Sequence, residues 1–243
     1  MIPVSYSVPS EHTAPLFAAA FAKGCGGTVA TEHVPGRAWA GFGSRTTWPG
    51  LNQTRRAGLP WYYGDHAYFG RRVYFRITRD AFQTRGLGET DGKRLAALGV
   101  EVKPWRTSGD AILLCPPDHL WARLMSFDAR AWQAEVSRKL KENSDRDVIV
   151  RKRHGAHVPL EQHLQRAYVV VTHSSNVAVD ALVYGVPVIV TGDCAARSMG
   201  RADPVSVEYP LRPDDRERWA GVLADNQWTM DEIAAGAAWE RLQ

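Results

Sequence analysis

Residues 169–190 read VVVTHSSNVAVDALVYGVPVIV. Two apolar, valine-rich runs bracket a polar cluster, Thr172-His173-Ser174-Ser175-Asn176. Short continuous apolar runs of this kind read as strands covered on both faces, and such strands belong to parallel sheets. Between the runs, Asn176 to Tyr184 has the composition of a short helix, and Gly185 closes it. The order strand, helix, strand makes a parallel crossover unit and puts the polar cluster at the carboxyl end of its first strand. In open α/β sheets that edge is where ligands bind. One of Ser174, Ser175 and Asn176 falls at the helix N-cap, where unpaired N–H groups and the positive dipole end gather. A single capping residue would need no such company. The cluster supplies several donors around an anion-sized space, which fits a phosphate; helix capping alone is the other reading.

The same alternation continues upstream. Asp147 to Val150 reads as a strand, Leu160 to Ala167 as a helix and Tyr168 to Val171 as a strand. Residues 118–142 carry an amphipathic helical pattern through Trp121, Leu124, Met125, Trp132, Val136 and Leu140. Ahead of it, Ala111 to Cys115 is a continuous apolar strand stopped by Pro116-Pro117. In the first half, Thr13 to Ala22 suits a helix ending at a glycine cluster. Thr28 to Ala30, Ala38 to Phe42 and Val73 to Ile77 suit strands, and Trp61-Tyr62-Tyr63 follows a turn. The tail from 213 reads as mostly helical, with Trp219, Leu223, Ile233, Trp239 and Leu242 as core contacts. The proline pair marks the expected boundary between two small α/β domains, residues 1–115 and 116–243.

The 243 residues are 44% hydrophobic and 23% charged, ordinary for a globular chain. No apolar run approaches the roughly 20 residues that span a bilayer. The N-terminus lacks the basic start and apolar core of a secretory signal, and Cys25, Cys115 and Cys194 are scattered without CxxC spacing. A cytoplasmic protein with reduced thiols is expected, neither a disulfide scaffold nor a zinc site. Charge is uneven: residues 1–115 hold 14 Lys and Arg against 8 Asp and Glu, whereas residues 116–243 hold 16 against 18. A basic first half suits an anionic partner, or is a solvated surface.

The run HSSNVAVDALVYGVPVIVTG resembles the donor-binding motif of GT-B glycosyltransferases, most of all the capsule-polysaccharide and glycerophosphotransferase branches. There a serine pair opens a helix, an acidic residue follows about a turn and a half later, and Ala-Leu-x-x-Gly-x-Pro-Val closes the unit. A basic strand end lies upstream, and Arg151-Lys152-Arg153-His154 stands in that place. The resemblance implies two Rossmann-like domains facing a cleft and a nucleotide-sugar donor in the second domain. It implies that Ser174 and Ser175 hold the donor's phosphates beside His173 and Asn176, that Arg151 and His154 neutralise them, and that Asp180 contacts the ribose. Asp180 departs from the family's more usual glutamate, and its shorter reach also allows it to face solvent.

Transfer with inversion needs a base for the acceptor hydroxyl. WYYGDHAYFGRR, residues 61–72, offers Asp65 first and His66 second, with Arg71 and Arg72 after them as acceptor contacts. Ser44 and Arg45, in the GFGSR stretch, line the same expected site. Asp65 capping a turn and His66 packing in the core is the alternative. The rings of Trp61, Tyr62, Tyr63, Tyr68 and Phe69 either stack a ligand or belong to the core. No metal site and no cofactor beyond the nucleotide-sugar co-substrate is expected. An arginine- and aromatic-rich acceptor side suits DNA carrying a hydroxymethylated base, as modified by bacteriophage glycosyltransferases, in which case the host cytoplasm is the location. A surface polysaccharide is the other acceptor. A noncatalytic nucleic-acid binder and a sugar-nucleotide epimerase or hydrolase are rivals from other classes.

Overall fold

The computed structural model describes residues 1–5, 12–43, 48–152 and 157–243. The chain forms two compact units, one of residues 1–84 with 224–243 and one of residues 85–223. Both are mixed α/β, and both contain parallel strands.

The first unit holds β1 (Pro3–Ser5), α1 (Thr13–Gly24), β2 (Thr28–Ala30), β3 (Trp39–Phe42), α2 (Trp48–Arg56), β4 (Trp61–His66) and β5 (Tyr74–Arg79). The second unit holds α3 (Lys93–Ala97), β6 (Ala111–Cys115), α4 (His119–Leu124), α5 (Ala129–Asn143), β7 (Asp147–Val150), α6 (Leu160–Arg166), β8 (Ala167–Thr172), α7 (Val177–Val183) and β9 (Val188–Val190). The chain returns to the first unit near the end of α8 (Arg216–Asp225). There it adds β10 (Gln227–Thr229), α9 (Met230–Ala234) and α10 (Ala237–Leu242).

These positions depart from the sequence reading in three places. The division falls at residue 85 rather than at Pro116-Pro117. The reason is β6, the central strand of the second sheet, paired in parallel with β7 on one side and β8 on the other. The prolines therefore end a core strand instead of linking domains. The helical pattern over 118–142 breaks into α4 and α5, because Ser126 takes a left-handed backbone (φ 61°) and the Asp128 carboxylate accepts the N–H groups of Arg130 and Ala131. The tail is mostly helical, as read, but Gln227, Trp228 and Thr229 within it form a strand, paired antiparallel with Arg76, Phe75 and Tyr74 of β5.

The first sheet has the order β10-β5-β4-β3-β1-β2, parallel from β2 to β4 and antiparallel from β4 to β10. Phe17 and Phe21 of α1 pack on it with Phe42, Tyr62, Phe75 and Trp228, and Ile233 of α9 joins the cluster. The second sheet has the order β7-β6-β8-β9 and is parallel throughout. Val136 and Leu140 of α5 cover Ile112, Leu114, Val169, Val171 and Ile189. Each such fully buried side chain contributes about 1.5–3 kcal/mol.

The turn after α7 is closely packed against backbone. Gly185 has φ 88°, and Val186 N–H returns to the Ala181 carbonyl at 2.8 Å. A β-carbon at Gly185 would lie 2.1 Å from the carbonyl oxygen of Pro104, a backbone atom that cannot swing aside. Gly185→Ala should therefore destabilise the protein by about 2–4 kcal/mol, from the left-handed backbone and the overpacking together. Urea denaturation checks this; a loss within a few tenths of a kcal/mol would show that segment 103–106 yields easily.

Candidate functional site

Because all four strands of the second sheet run the same way, their carboxyl ends meet at one edge. Leu114 pairs with Val150, Cys115 with Thr172, and Thr172 with Val190. The chain lays down β6, goes to one side for β7, and crosses to the other side for β8. The strand order thus reverses between β6 and β8, and the crevice outside such a reversal is where open α/β sheets bind ligands. His173 to Asn176 leave the sheet at this point.

The five polar side chains turn out to have different duties. Thr172 is fully buried, and its hydroxyl donates to the Cys115 carbonyl at 2.7 Å, tying the ends of β8 and β6 together. The His173 ring stacks on Phe127 (centroids 4.2 Å, 24° between planes) and meets Trp132 edge-on. Gly192, just beyond β9, donates its N–H to the His173 carbonyl at 3.0 Å, and a β-carbon there would lie 2.2 Å from the imidazole Cε1. Trp132 is itself held by an indole N–H bond to Thr191 Oγ1 at 2.8 Å. The imidazole is clamped by neighbours without formal charge, and burial pushes its pKa below the usual 6.5.

The remaining three lie in the turn. Ser174 is buried, with its hydroxyl 3.1 Å from His173 Nδ1. Ser175 Oγ accepts the Val177 N–H at 3.3 Å, the local bond of a serine turn, and the Ser175 carbonyl accepts the Cys194 thiol at 3.6 Å. Asn176 occupies the N-cap position of α7, but its side chain makes no capping bond. Asp180 lies half-buried in the first turn of that helix.

Arg151 comes directly after β7 on the same edge. Its N–H donates to the Leu114 carbonyl at 2.8 Å, and its guanidinium donates to the Val158 carbonyl and to His163 Nδ1 at 2.6 and 3.1 Å. A guanidinium cannot accept, so the His163 imidazole carries its proton on Nε2. Burial, with Arg151 and Arg166 nearby, lowers the His163 pKa. Strands β7 and β8 are separated by β6, so Arg151 and His173 stand two strand spacings apart, about 10 Å. His154, expected beside Arg151, lies outside the described residues.

In the first unit, Asp65 and His66 end β4. Strand alternation sends them to opposite faces of the sheet, so neighbours in sequence do not share one site. Asp65 lies on the face of Arg76, whose guanidinium is 1% exposed. One carboxylate oxygen is 2.6 Å from Arg76 Nη2, and the other accepts the His66 N–H at 2.7 Å. Arg76 also donates to the carbonyls of His66 and Phe82. The carboxylate is the counter-charge of a buried cation. His66 lies on the other face, edge-on to Phe42, with Nδ1 3.1 Å from the Arg71 carbonyl. A carbonyl can only accept, so in the neutral form of the ring the proton sits on Nδ1 and Nε2 is left bare.

Arg71 and Arg72 are exposed on the loop between β4 and β5. Ser44 and Arg45 lie outside the described residues. Trp61, Tyr62, Tyr63, Tyr68 and Phe69 are all under 10% exposed and belong to the core, so none offers a face for stacking. Among the described residues, no three His, Cys, Asp or Glu side chains are placed to hold a metal ion, and no helix is long and apolar enough to cross a membrane. Sequence reasoning missed Phe127, Trp132, Thr191 and Gly192. The last two were open to it, as a polar Gly turn directly after the apolar run 188–190.

No family model matches the chain, and no curated protein does. Among solved structures the fold is similar to two glycosyltransferases. One is the β-Kdo 2,7 transferase of Thermosulfurimonas dismutans KpsC, with TM-score 0.58 and 11% identity over 99% of this chain and 100% of that one. The other is the β-Kdo 2,4 transferase of the same organism's KpsC, with TM-score 0.53 and 14% identity over 90% of each chain. At these identities the likeness is one of fold.

The His173 clamp makes a pH prediction. Its native pKa lies below 6.5, so in the window beneath 6.5 the unfolded chain binds more protons and stability falls as pH drops. His163 adds a contribution of the same sign. The loss of stability between about pH 7.5 and about pH 5.5 should therefore be smaller in His173→Gln than in the parent protein, as read from urea midpoints. An unchanged loss would place the imidazole in solvent.

Proposed function

We propose that this chain is a glycosyltransferase of the GT-B type, with the second unit binding a nucleotide-sugar donor and the first bringing the acceptor. Fold alone does not carry an activity. The supporting observation is that, within a fold like that of two sugar transferases, the cluster His173 to Asn176 stands at the strand-order reversal. Both relatives are named for transfer of Kdo, which makes Kdo the first sugar to try.

The division of labour differs from the sequence expectation in two respects. Ser174 and Ser175 have partners inside the protein, so their hydroxyls serve to hold the turn while it presents its backbone and Asn176 to a phosphate. Arg151, on the far side of β6, supplies the positive charge. For a diphosphate or monophosphate leaving group, prealigned donors of this sort stabilise the charge that develops as the glycosidic C–O bond breaks. His66 becomes the base in place of Asp65: Nε2 takes the proton of the acceptor hydroxyl, whose oxygen attacks the anomeric carbon with inversion. The exposed Arg71 and Arg72 favour an acceptor carrying negative charge. Hydroxymethylated DNA meets that requirement, as does a surface polysaccharide with acidic sugars, and with the aromatic rings buried nothing further favours DNA.

Thermal unfolding with CMP, UDP, GDP and TDP sugars tests the donor. A ligand at 100 times its Kd stabilises the native state by about 2.7 kcal/mol, a shift of several degrees. One nucleotide class should give it, and the Ser174→Ala/Ser175→Ala double variant should lose it while remaining folded. His66→Gln should keep the shift but transfer sugar about 10²–10⁴-fold more slowly to whichever acceptor, glycan or DNA, labels in the parent protein. No shift with any nucleotide sugar contradicts the reading. Salt-sensitive DNA binding in its place would favour a noncatalytic binder, and turnover of the sugar nucleotide without an acceptor an epimerase or hydrolase.

A further inference from the structure

Asp65, Arg76 and Gln227 occupy one rung across three strands: Asp65 pairs with Arg76 between β4 and β5, and Gln227 pairs with Arg76 between β10 and β5. A polar rung is costly in a buried sheet, and Gln227 has no exposed surface at all. Its amide spends both ends on one residue. Oε1 accepts the Phe69 N–H at 3.1 Å, and Nε2 donates to the Phe69 carbonyl at 3.0 Å. Phe69 lies in the middle of the loop joining β4 to β5, 158 positions away in sequence. An unanchored loop would need only a turn; this one is fixed at its centre.

The rest of the loop is fixed from the same face. The Tyr68 hydroxyl donates to Gln83 Oε1 at 3.0 Å and accepts the Thr84 N–H at 2.9 Å. The Arg76 guanidinium lies over the Tyr68 ring, 5.0 Å from its centroid, and its Nε donates to the His66 carbonyl at 3.2 Å. Two residues beyond Phe69, the Arg71 carbonyl is delivered to His66 Nδ1 at 3.1 Å. Between them lies only Gly70, whose carbonyl accepts the N–H groups of Val73 and Tyr74 to close the turn.

We propose that Gln227 is a positioning residue for His66. By fixing Phe69 it holds the Arg71 carbonyl against Nδ1, which selects the tautomer with Nε2 unprotonated. The role given to that nitrogen rests on the glycosyltransferase reading above; the tautomer itself does not. Gln227 lies on β10, within the last twenty residues that the β5 edge and the α1 core draw into the first unit.

Nitrogen-15 NMR of the histidine rings of the whole protein, at a pH where they are neutral, tests this without any substrate. The His66 signal is identified by its loss in His66→Gln. In the parent protein His66 should show Nδ1 protonated and Nε2 bare. In Gln227→Met, which keeps the length and apolar bulk but neither hydrogen bond, the pattern should change to mainly Nε2-protonated. Gln227→Glu, which still accepts from Phe69 N–H, should fall between the two and keeps the test usable if the methionine variant does not fold. A role in stability alone would lower the melting temperature of both variants and leave the His66 pattern as in the parent, and that result overturns the proposal. So does a parent protein in which Nε2 carries the proton. Failure to bind any nucleotide sugar would remove the glycosyltransferase reading and leave the tautomer result standing.

Discussion

The candidate site depends on one constraint: four parallel strands held in register end at one edge. The pairing of Cys115 with Thr172 and of Thr172 with Val190 fixes where β6, β8 and β9 stop, and the Thr172 hydroxyl locks the first two ends by bonding the Cys115 carbonyl. The segments leaving these strands must then lie side by side. His173 meets Gly192 because the strands before them are neighbours, and Arg151 reaches the same edge because β7 pairs with β6. Parallel strands cannot be joined by tight turns, so the connecting helices are a consequence of the sheet. One of them, α5, brings Trp132 over the His173 ring, and the turn ahead of it brings Phe127.

The first unit obeys a different constraint. A guanidinium buried as deeply as that of Arg76 must find partners for its charge and its donors, because an uncompensated ion in the interior costs several kcal/mol. Asp65 supplies the charge, and the carbonyls of His66 and Phe82 accept the remaining bonds. The end of β4 is thereby held on one face of the sheet, while His66 emerges on the other. An acidic residue beside an imidazole suggested two candidate bases; the structure pairs the carboxylate with Arg76 on one face of the sheet and sets the imidazole on the other, against the Arg71 carbonyl.

The fold was legible in the sequence wherever local pattern decides it. The apolar runs at 111–115, 147–150 and 168–171 became strands, and the glycine at 185 closed its helix, since continuous apolar runs and a left-handed glycine each have a local cause. Legibility failed where distant partners decide. Gln227-Trp228-Thr229 sits in a helical context and became a strand because β5 offered an edge. Pro116-Pro117 resembled a linker because nothing nearby shows that β6 is flanked on both sides. Of the site, the edge position of His173 to Asn176 was readable, but the inward bonds of Ser174 and Ser175 were not. Phe127 left no trace in the sequence, because its contact with His173 is made through a fold that brings residues 46 positions apart together.

The glycosyltransferase reading stands or falls on whether a nucleotide sugar sits at the carboxyl edge of β6 and β8. Amide hydrogen exchange of the whole protein, with and without a saturating nucleotide sugar, decides this. Exchange should slow in the segments 173–177 and 191–194, with the N-terminal edge of the same sheet unchanged. Protection confined to that opposite edge, or no protection at 173–177 under saturation, would contradict it.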